Sequence, residues 1–296
     1  MAVQRPHWLR TQAGVQCMAR LLGLLTFLVG ATVGMDGFAY DLGVIDVKTL
    51  AAGKTAWIVL DARPPAVYRK GHLPGALSFS WEAYTRIDAQ KIPYRIWPAA
   101  ELAAALGGMG IDENAPIVVY GDADTTWGGE GWCCWALIWL GHQGPVRMLD
   151  GGVQAWQRAG MAMTDTDAPQ SGAGATYHAW PRGEVTINCQ EIADLADNQI
   201  LVDTRSTLEW LTGHLPGAVH LSWTSLYEGK DRHPIDAKRY GELLGKQGID
   251  ADMEPVFYCT GGVRSAYAWV IHQLYMSSPA RNFEGGTEAW DRYPNR

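Results

Sequence analysis

The stretch "EPVFYCTGGVRSAYAW", residues 254–269, sets one thiol, Cys259, between a short apolar run and two glycines, with Arg264 close behind. A cysteine attacks as thiolate, so its surroundings decide whether it is reactive. Gly261 and Gly262 permit left-handed backbone and close approach to a ligand. Successive N–H groups in such a turn can point into one concavity that favours negative charge. A helix predicted to begin near Ser265 adds positive potential, and Arg264 adds a full charge. Together these surroundings favour thiolate over thiol. The competing reading is a buried apolar filler, a common fate of free cysteine. Cys133, Cys134 and Cys189 lie in helical patterns without such neighbours and are read that way. Cys259 is read as the nucleophile, with Thr260, Gly261, Gly262, Val263, Arg264 and Ser265 as the residues that bind its substrate. Thr260 either bonds substrate or fits the loop. Ser265 either offers a hydroxyl to the cradle or caps the helix.

The elements that must position this loop appear twice in the chain. "IVLDARPPAVYRKGHLPGALSFSW" (58–81) aligns without a gap to "ILVDTRSTLEWLTGHLPGAVHLSW" (200–223). "GIDENAPIVVYG" (110–121) aligns with "GIDADMEPVFYC" (248–259), and "LDGGVQAW" (149–156) with "FEGGTEAW" (283–290). A long-range repeat of this kind, at offsets that shrink from 142 to 138 to 134, signals a tandem duplication. In each copy Asp46 or Asn188 caps a short helix ahead of an apolar run, "WIVLDAR" or "QILVDTR". Pro98 and Asp236 open the next helix. A second buried run, "PIVVY" or "PVFYC", leads into the loop and a third helix. Short apolar runs alternating with helices predict an α/β fold with two tandem units, each a mostly parallel sheet flanked by helices. The predicted divisions are a leader at 1–39, a first domain at 40–160, a linker at 161–183 and a second domain at 184–296.

The copies differ where the chemistry would be. The first loop, "GDADTTWGGE" (121–130), is four residues longer than the second and has Gly121 in place of Cys259. Its Asp122, Asp124 and Glu130 would repel an anionic donor, so the first domain is read as non-catalytic. Asp61 with Arg63, and Asp203 with Arg205, are read as strand-end ion pairs. His72 and His214 are read as turn histidines, and Trp127 as a wall of the interdomain cleft. Arg232 and His233 are left outside the site.

The chain has 296 residues and a net charge of −7, with 47% apolar and 19% charged residues. That composition is globular and gives no basic patch for nucleic acid. Arg5, Arg10 and Arg20 precede an uncharged run, "LLGLLTFLVGATVG" (21–34), which is short for a membrane span. Its layout predicts a secretory signal, and hence a periplasmic or otherwise exported protein; uncleaved, the segment would anchor it in the membrane. Export would leave Cys133, Cys134, Cys189 and Cys259, too few for a disulfide scaffold.

Four residues separate Cys259 from Arg264, where a cysteine phosphatase loop has five. The tighter cradle suits one extra sulfur on the cysteine, a persulfide. In its tandem units, its "D-x-R…GHLPGA" and "GG…AW" segments and its six-residue "CTGGVR" loop, the chain resembles the rhodanese family of sulfurtransferases. The resemblance implies sulfur transfer from a small anionic donor such as thiosulfate to cyanide, a thiol or a protein acceptor, through a persulfide on Cys259. It implies no cofactor and no metal, and an active second domain beside a supporting first one. Family members that prefer mercaptopyruvate carry an arginine six positions beyond the strand aspartate. Here that position is Glu209, so thiosulfate is the expected donor.

Overall fold

The computed structural model describes residues 40–167 and 174–294. The leader lies outside these residues. The first domain is built on five strands, β1 (Leu42–Ile45), β2 (Ile58–Asp61), β3 (Leu77–Ser78), β4 (Ile117–Tyr120) and β5 (Val146–Leu149). All pair in parallel, in the order β1-β5-β4-β2-β3. Helices α1 (Val47–Ala51), α2 (Ala99–Gly108), α3 (Gly129–Trp139) and α4 (Gly152–Arg158) accompany them. The second domain repeats the plan with α5 (Cys189–Ala193), β6 (Gln199–Asp203), α6 (Thr207–Thr212), β7 (Val219–His220), α7 (Ala237–Lys246), β8 (Glu254–Tyr258), α8 (Val263–Tyr275), β9 (Arg281–Phe283) and α9 (Gly286–Trp290). Its sheet runs β9-β8-β6-β7, again all parallel. The counterpart of β1 shrinks here to a single bridge between Thr186 and Asn282.

Strands β4 and β8 are buried along their whole length. That explains why both read as unbroken apolar runs: a parallel strand covered on both faces has no polar side to show. Asp46, Asn188 and Asp236 cap their helices through side-chain bonds to backbone N–H groups, as the sequence indicates. Helix α8 begins at Val263, two residues earlier than the sequence pattern suggests. Gly262 adopts φ 82°, a left-handed conformation that lets the chain turn directly into the helix. Ser265 therefore lies inside the first turn and is not the cap.

The strand-end pairs brace the "GHLPGA" turns in both domains. Arg63 holds Asp61 and donates to the Gly71 carbonyl at 2.7 Å. Arg205 holds Asp203 and donates to the Gly213 carbonyl at 2.6 Å. The hydroxyls of Tyr120 and Tyr258 accept from Leu73 N–H and Leu215 N–H, each at 3.1 Å. His72 and His214 each donate from Nδ1 to the carbonyl four residues back and belong to the turns.

Helices α3 and α8 pack face to face and join both domains into one core. A Cβ on Gly131 would overlap the backbone of Tyr267, so this approach requires glycine there. Trp132, Trp135, Tyr267 and Trp269, carried by these two helices, are buried in that shared core. Cys133 and Cys134 lie on α3, fully buried, and burial pushes both thiols up. All four described cysteines are free.

Candidate active site

Cys259 stands at the C-terminal end of β8, the strand between β6 and β9, and is 2% exposed. Parallel α/β sheets bind ligands beyond the carboxyl ends of their strands. The loop Cys259–Gly262 is held from below by α9. Thr287 N–H donates to the Cys259 carbonyl at 2.9 Å, and Glu288 N–H to the Thr260 carbonyl at 3.1 Å. Among the described residues, the backbone N–H groups of 260–265 donate to no carbonyl or side chain. Three of them lie in the first turn of α8, which has no preceding turn to accept them. A short loop with open donors at the start of a 13-residue helix is a cradle for negative charge.

Ser265 Oγ lies 3.6 Å from Cys259 Sγ and donates to Asn282 Oδ1 at 2.6 Å. The amide of Asn282 in turn donates to the Gly262 carbonyl at 3.2 Å. Asn282 was not singled out in the sequence, although a signal existed. It is a buried polar residue aligned with Met148 of the first domain. Gly286 was missed as well: a Cβ there would overlap the Cys259 carbonyl and come within 2.5 Å of the Thr260 carbonyl. Gly152 stands in the same relation to Gly121 in the first domain. The repeated "GG" thus marks where α4 and α9 abut the two loops.

Arg264 reaches the loop but is not free. Its Nη1 and Nη2 donate to the two carboxylate oxygens of Glu209 at 2.7 and 2.9 Å, and Nη2 also donates to Thr260 Oγ1 at 2.7 Å. Its guanidinium lies 5.5 Å from the ring of Trp127. The Arg264 hydrogen bond brings Glu209 down to about 2, assisted by bonds from Ser206. Thr260 therefore braces Arg264, and the pair carries no net charge.

The first domain walls the pocket. Trp81, Tyr94 and Trp127 line it together with Cys259, Gly261 and Arg264, enclosing about 300 Å³. Trp81 and Tyr94 carried no recognisable signal in the sequence. The two domains reach across each other reciprocally. Tyr94 packs on Gly261, where a Cβ would meet its ring at 2.6 Å. Its repeat counterpart, Arg232, reaches back to Asp124 in the first domain's loop at 2.8 Å. Likewise Arg95 pairs with Glu284, and the aligned His233 bonds Asp150 at 2.6 Å. Arg232 and His233 thus serve the first domain's loop and do not line the Cys259 pocket.

The silent loop is closed by one side chain. Glu130, aligned with Arg264, folds its carboxylate into the space that a Cβ on Gly121 would take. Tyr227 donates to it at 2.5 Å and Thr126 at 3.2 Å, and burial pushes its carboxyl up. Asp122 and Asp124 are engaged elsewhere, with Gln154 and Arg232. We expect Gly121→Cys combined with Cys259→Ser to form no stable persulfide, because the Glu130 carboxyl fills the space that the new side chain would need. Turnover comparable to the parent would show that Glu130 does not silence this loop.

The Rhodanese-like domain model matches residues 46–159 and again 189–293. The chain belongs to the rhodanese family and carries its domain twice. It is 28% identical over 271 residues to a thiosulfate sulfurtransferase of Pseudomonas aeruginosa, covering 85% of this chain and 95% of the relative. It is 26% identical over 253 residues to the sulfur carrier protein TtuD of Thermus thermophilus, covering 76% and 84%. Among solved structures it is similar to the anaerobic ergothioneine biosynthesis enzyme from Chlorobium limicola. That match has a TM-score of 0.74 and 22% identity and covers 85% of this chain and 68% of the other. As a rhodanese-family protein the chain is a sulfurtransferase, with a sulfur donor and a sulfur acceptor as its partners.

Proposed function

We propose that the chain moves a sulfane sulfur from thiosulfate or a similar donor to a thiophilic acceptor, cyanide or a thiol, through a persulfide on Cys259. The observation that carries this reading is the buried thiol under the open N–H groups of residues 260–265. In the first step the Cys259 thiolate attacks the outer sulfur of the donor. The donor's sulfur–sulfur bond breaks, and its electron pair leaves with sulfite. In the second step the acceptor attacks the outer sulfur of the persulfide, and the pair returns to Cys259. Sulfite is a stable anion, so departure needs no strong general acid. The loop N–H groups carry the negative charge of the persulfide sulfur. In this reading Thr260, Gly261, Gly262, Val263 and Ser265 form the cradle, and the first domain is a supporting lobe.

A persulfide carrier with slow turnover of small donors is the second reading. The observation that favours it is the neutral Arg264–Glu209 pair, which gives a dianion little to bind. The carboxylate at 209 argues against mercaptopyruvate as donor. Residues 1–39 act in either reading as an export signal, placing the protein in the periplasm or outside the cell. Among the described residues no helix is long and apolar enough to cross a membrane. The test combines a thiosulfate–cyanide assay with mass spectrometry of Cys259 after exposure to donor. An enzyme turns over and carries sulfur on Cys259. A carrier takes up sulfur with little turnover. Sulfur on another cysteine, or none, overturns both readings.

A further inference from the structure

Ser265, Asn282 and the Gly262 carbonyl form a chain of hydrogen bonds on the inner side of the reactive thiol. Ser265 and Asn282 are both fully buried, so their polar atoms bond each other and the loop. A carbonyl only accepts, so the Gly262 oxygen, 3.2 Å away, fixes which end of the Asn282 amide faces it: the Nδ2. The Oδ1 then faces Ser265 Oγ at 2.6 Å and takes its hydrogen. A serine hydroxyl has one hydrogen. Cys259 Sγ, 3.6 Å from the same Oγ, therefore faces oxygen lone pairs. The repeat shows what this arrangement accompanies. The silent first domain has Gly121, Gly131 and Met148 where the second has Cys259, Ser265 and Asn282. The hydroxyl and the amide are absent there together with the thiol.

We infer that Asn282 is a positioning residue for sulfur uptake: by taking the Ser265 hydrogen it turns lone pairs toward Cys259 Sγ, and so favours negative charge on the outer sulfur of the persulfide over charge on Sγ. The inference rests on the persulfide chemistry proposed above. In the thiolate the full charge lies on Sγ, against the oxygen lone pairs, and is disfavoured. When Sγ bonds to the outer sulfur of thiosulfate, the donor's sulfur–sulfur bond breaks and its electron pair leaves with sulfite. Sγ is then a neutral bridging atom, and the charge sits on the outer sulfur under the loop N–H groups. A thiolate and a dianion enter; a persulfide anion and a dianion result. Discharge puts the charge back on Sγ, so the same lone pairs oppose it. Asn282 does not line the pocket, and it biases Cys259 toward the loaded form through Ser265.

The test equilibrates the protein with thiosulfate and sulfite in fixed ratios and reads the loaded fraction of Cys259 by mass spectrometry. The pH is set where alkylation of Cys259 has reached its plateau, so that the discharged form is the thiolate. The parent, Ser265→Ala, Asn282→Leu and the double variant are compared. Leucine nearly matches asparagine in shape and neither donates nor accepts. In Asn282→Leu the Ser265 hydrogen is free to turn to Sγ and bond the thiolate. The ratio of sulfite to thiosulfate needed for half discharge should then fall roughly tenfold or more, the scale of a charge-assisted hydrogen bond. Ser265→Ala removes the lone pairs without supplying a donor, so its ratio should fall less. The double variant should match Ser265→Ala, because the larger fall works through the hydroxyl. A double variant as low as Asn282→Leu would mean that Asn282 only holds the loop, and overturns the inference. A Ser265→Ala ratio at or above the parent's overturns it too, and decides the matter if Asn282→Leu fails to fold. If the parent takes up no sulfur on Cys259, the sulfur-transfer reading falls and takes this inference with it.

Discussion

Cys259→Ser should leave the chain folded and remove sulfur transfer by at least about a thousandfold, the scale on which loss of a nucleophile acts. Serine nearly matches cysteine in shape, and its hydroxyl would face Ser265 Oγ in a pocket that already holds polar groups. The stability change should stay within about 1 kcal/mol. The chemistry should not survive, because a neutral hydroxyl is a far weaker nucleophile and its oxygen cannot carry a transferable sulfane sulfur. Thermal unfolding, persulfide detection by mass spectrometry and a thiosulfate–cyanide assay check the three parts together. Transfer retained in this variant, with sulfur on Cys133, Cys134 or Cys189, would sink the assignment. Cys133 and Cys134 are poor substitutes, being sealed in α3 with their thiols pushed up by burial.

Gly286→Val should damage the site without touching any reacting atom. Gly286 has φ 53°, a conformation that side chains with a Cβ rarely adopt. Any Cβ there would press on the carbonyls of Cys259 and Thr260. These are backbone atoms of the loop and cannot swing aside as a flexible side chain does. Either α9 retreats, losing the bonds from Thr287 and Glu288, or the loop moves into the pocket. The strain should cost on the order of 1–3 kcal/mol. A shift of about 1 Å in the loop should lower turnover roughly a hundredfold. Gly248→Ala is the matching control. Gly248 also has positive φ, 69°, but a Cβ there meets nothing within 4 Å. It should lose some stability and keep its activity. Equal activity losses in the two variants, or none in Gly286→Val, would mean that the contact does not hold the loop.

Arg264 shows why charge read along a chain differs from charge at a site. Along the sequence it is a cation five positions after a thiol, and thiosulfate is its expected ligand. In the folded chain Glu209, from α6, takes two of its N–H groups. The sequence marked Glu209 as a departure from the mercaptopyruvate pattern. It carried no sign that the carboxylate would turn toward Arg264, because that depends on how α6 and α8 lie over the β6–β8 edge. Glu130 is the converse. Counting acidic residues in the first loop points to general repulsion, whereas one carboxylate fills the site and its neighbours bond elsewhere.

By itself the sequence determined the duplication, the α/β class, the helix caps, the strand-end braces and the place of Cys259 at a strand terminus. These are local or repeated features. A cap needs its side chain two or three residues away, a buried parallel strand shows itself as an apolar run, and a repeat is visible in alignment. The tertiary structure alone decided what surrounds the thiol. Trp81, Tyr94 and Trp127 come from the first domain, and Asn282 and Gly286 from a later strand and helix. Asn282 and Gly286 meet Cys259 because β9 pairs with β8 and α9 follows it, and the first-domain residues because α3 and α8 approach closely enough for Gly131 to face Tyr267. That approach depends on the summed packing of both domains, and no spacing of residues along the chain records it.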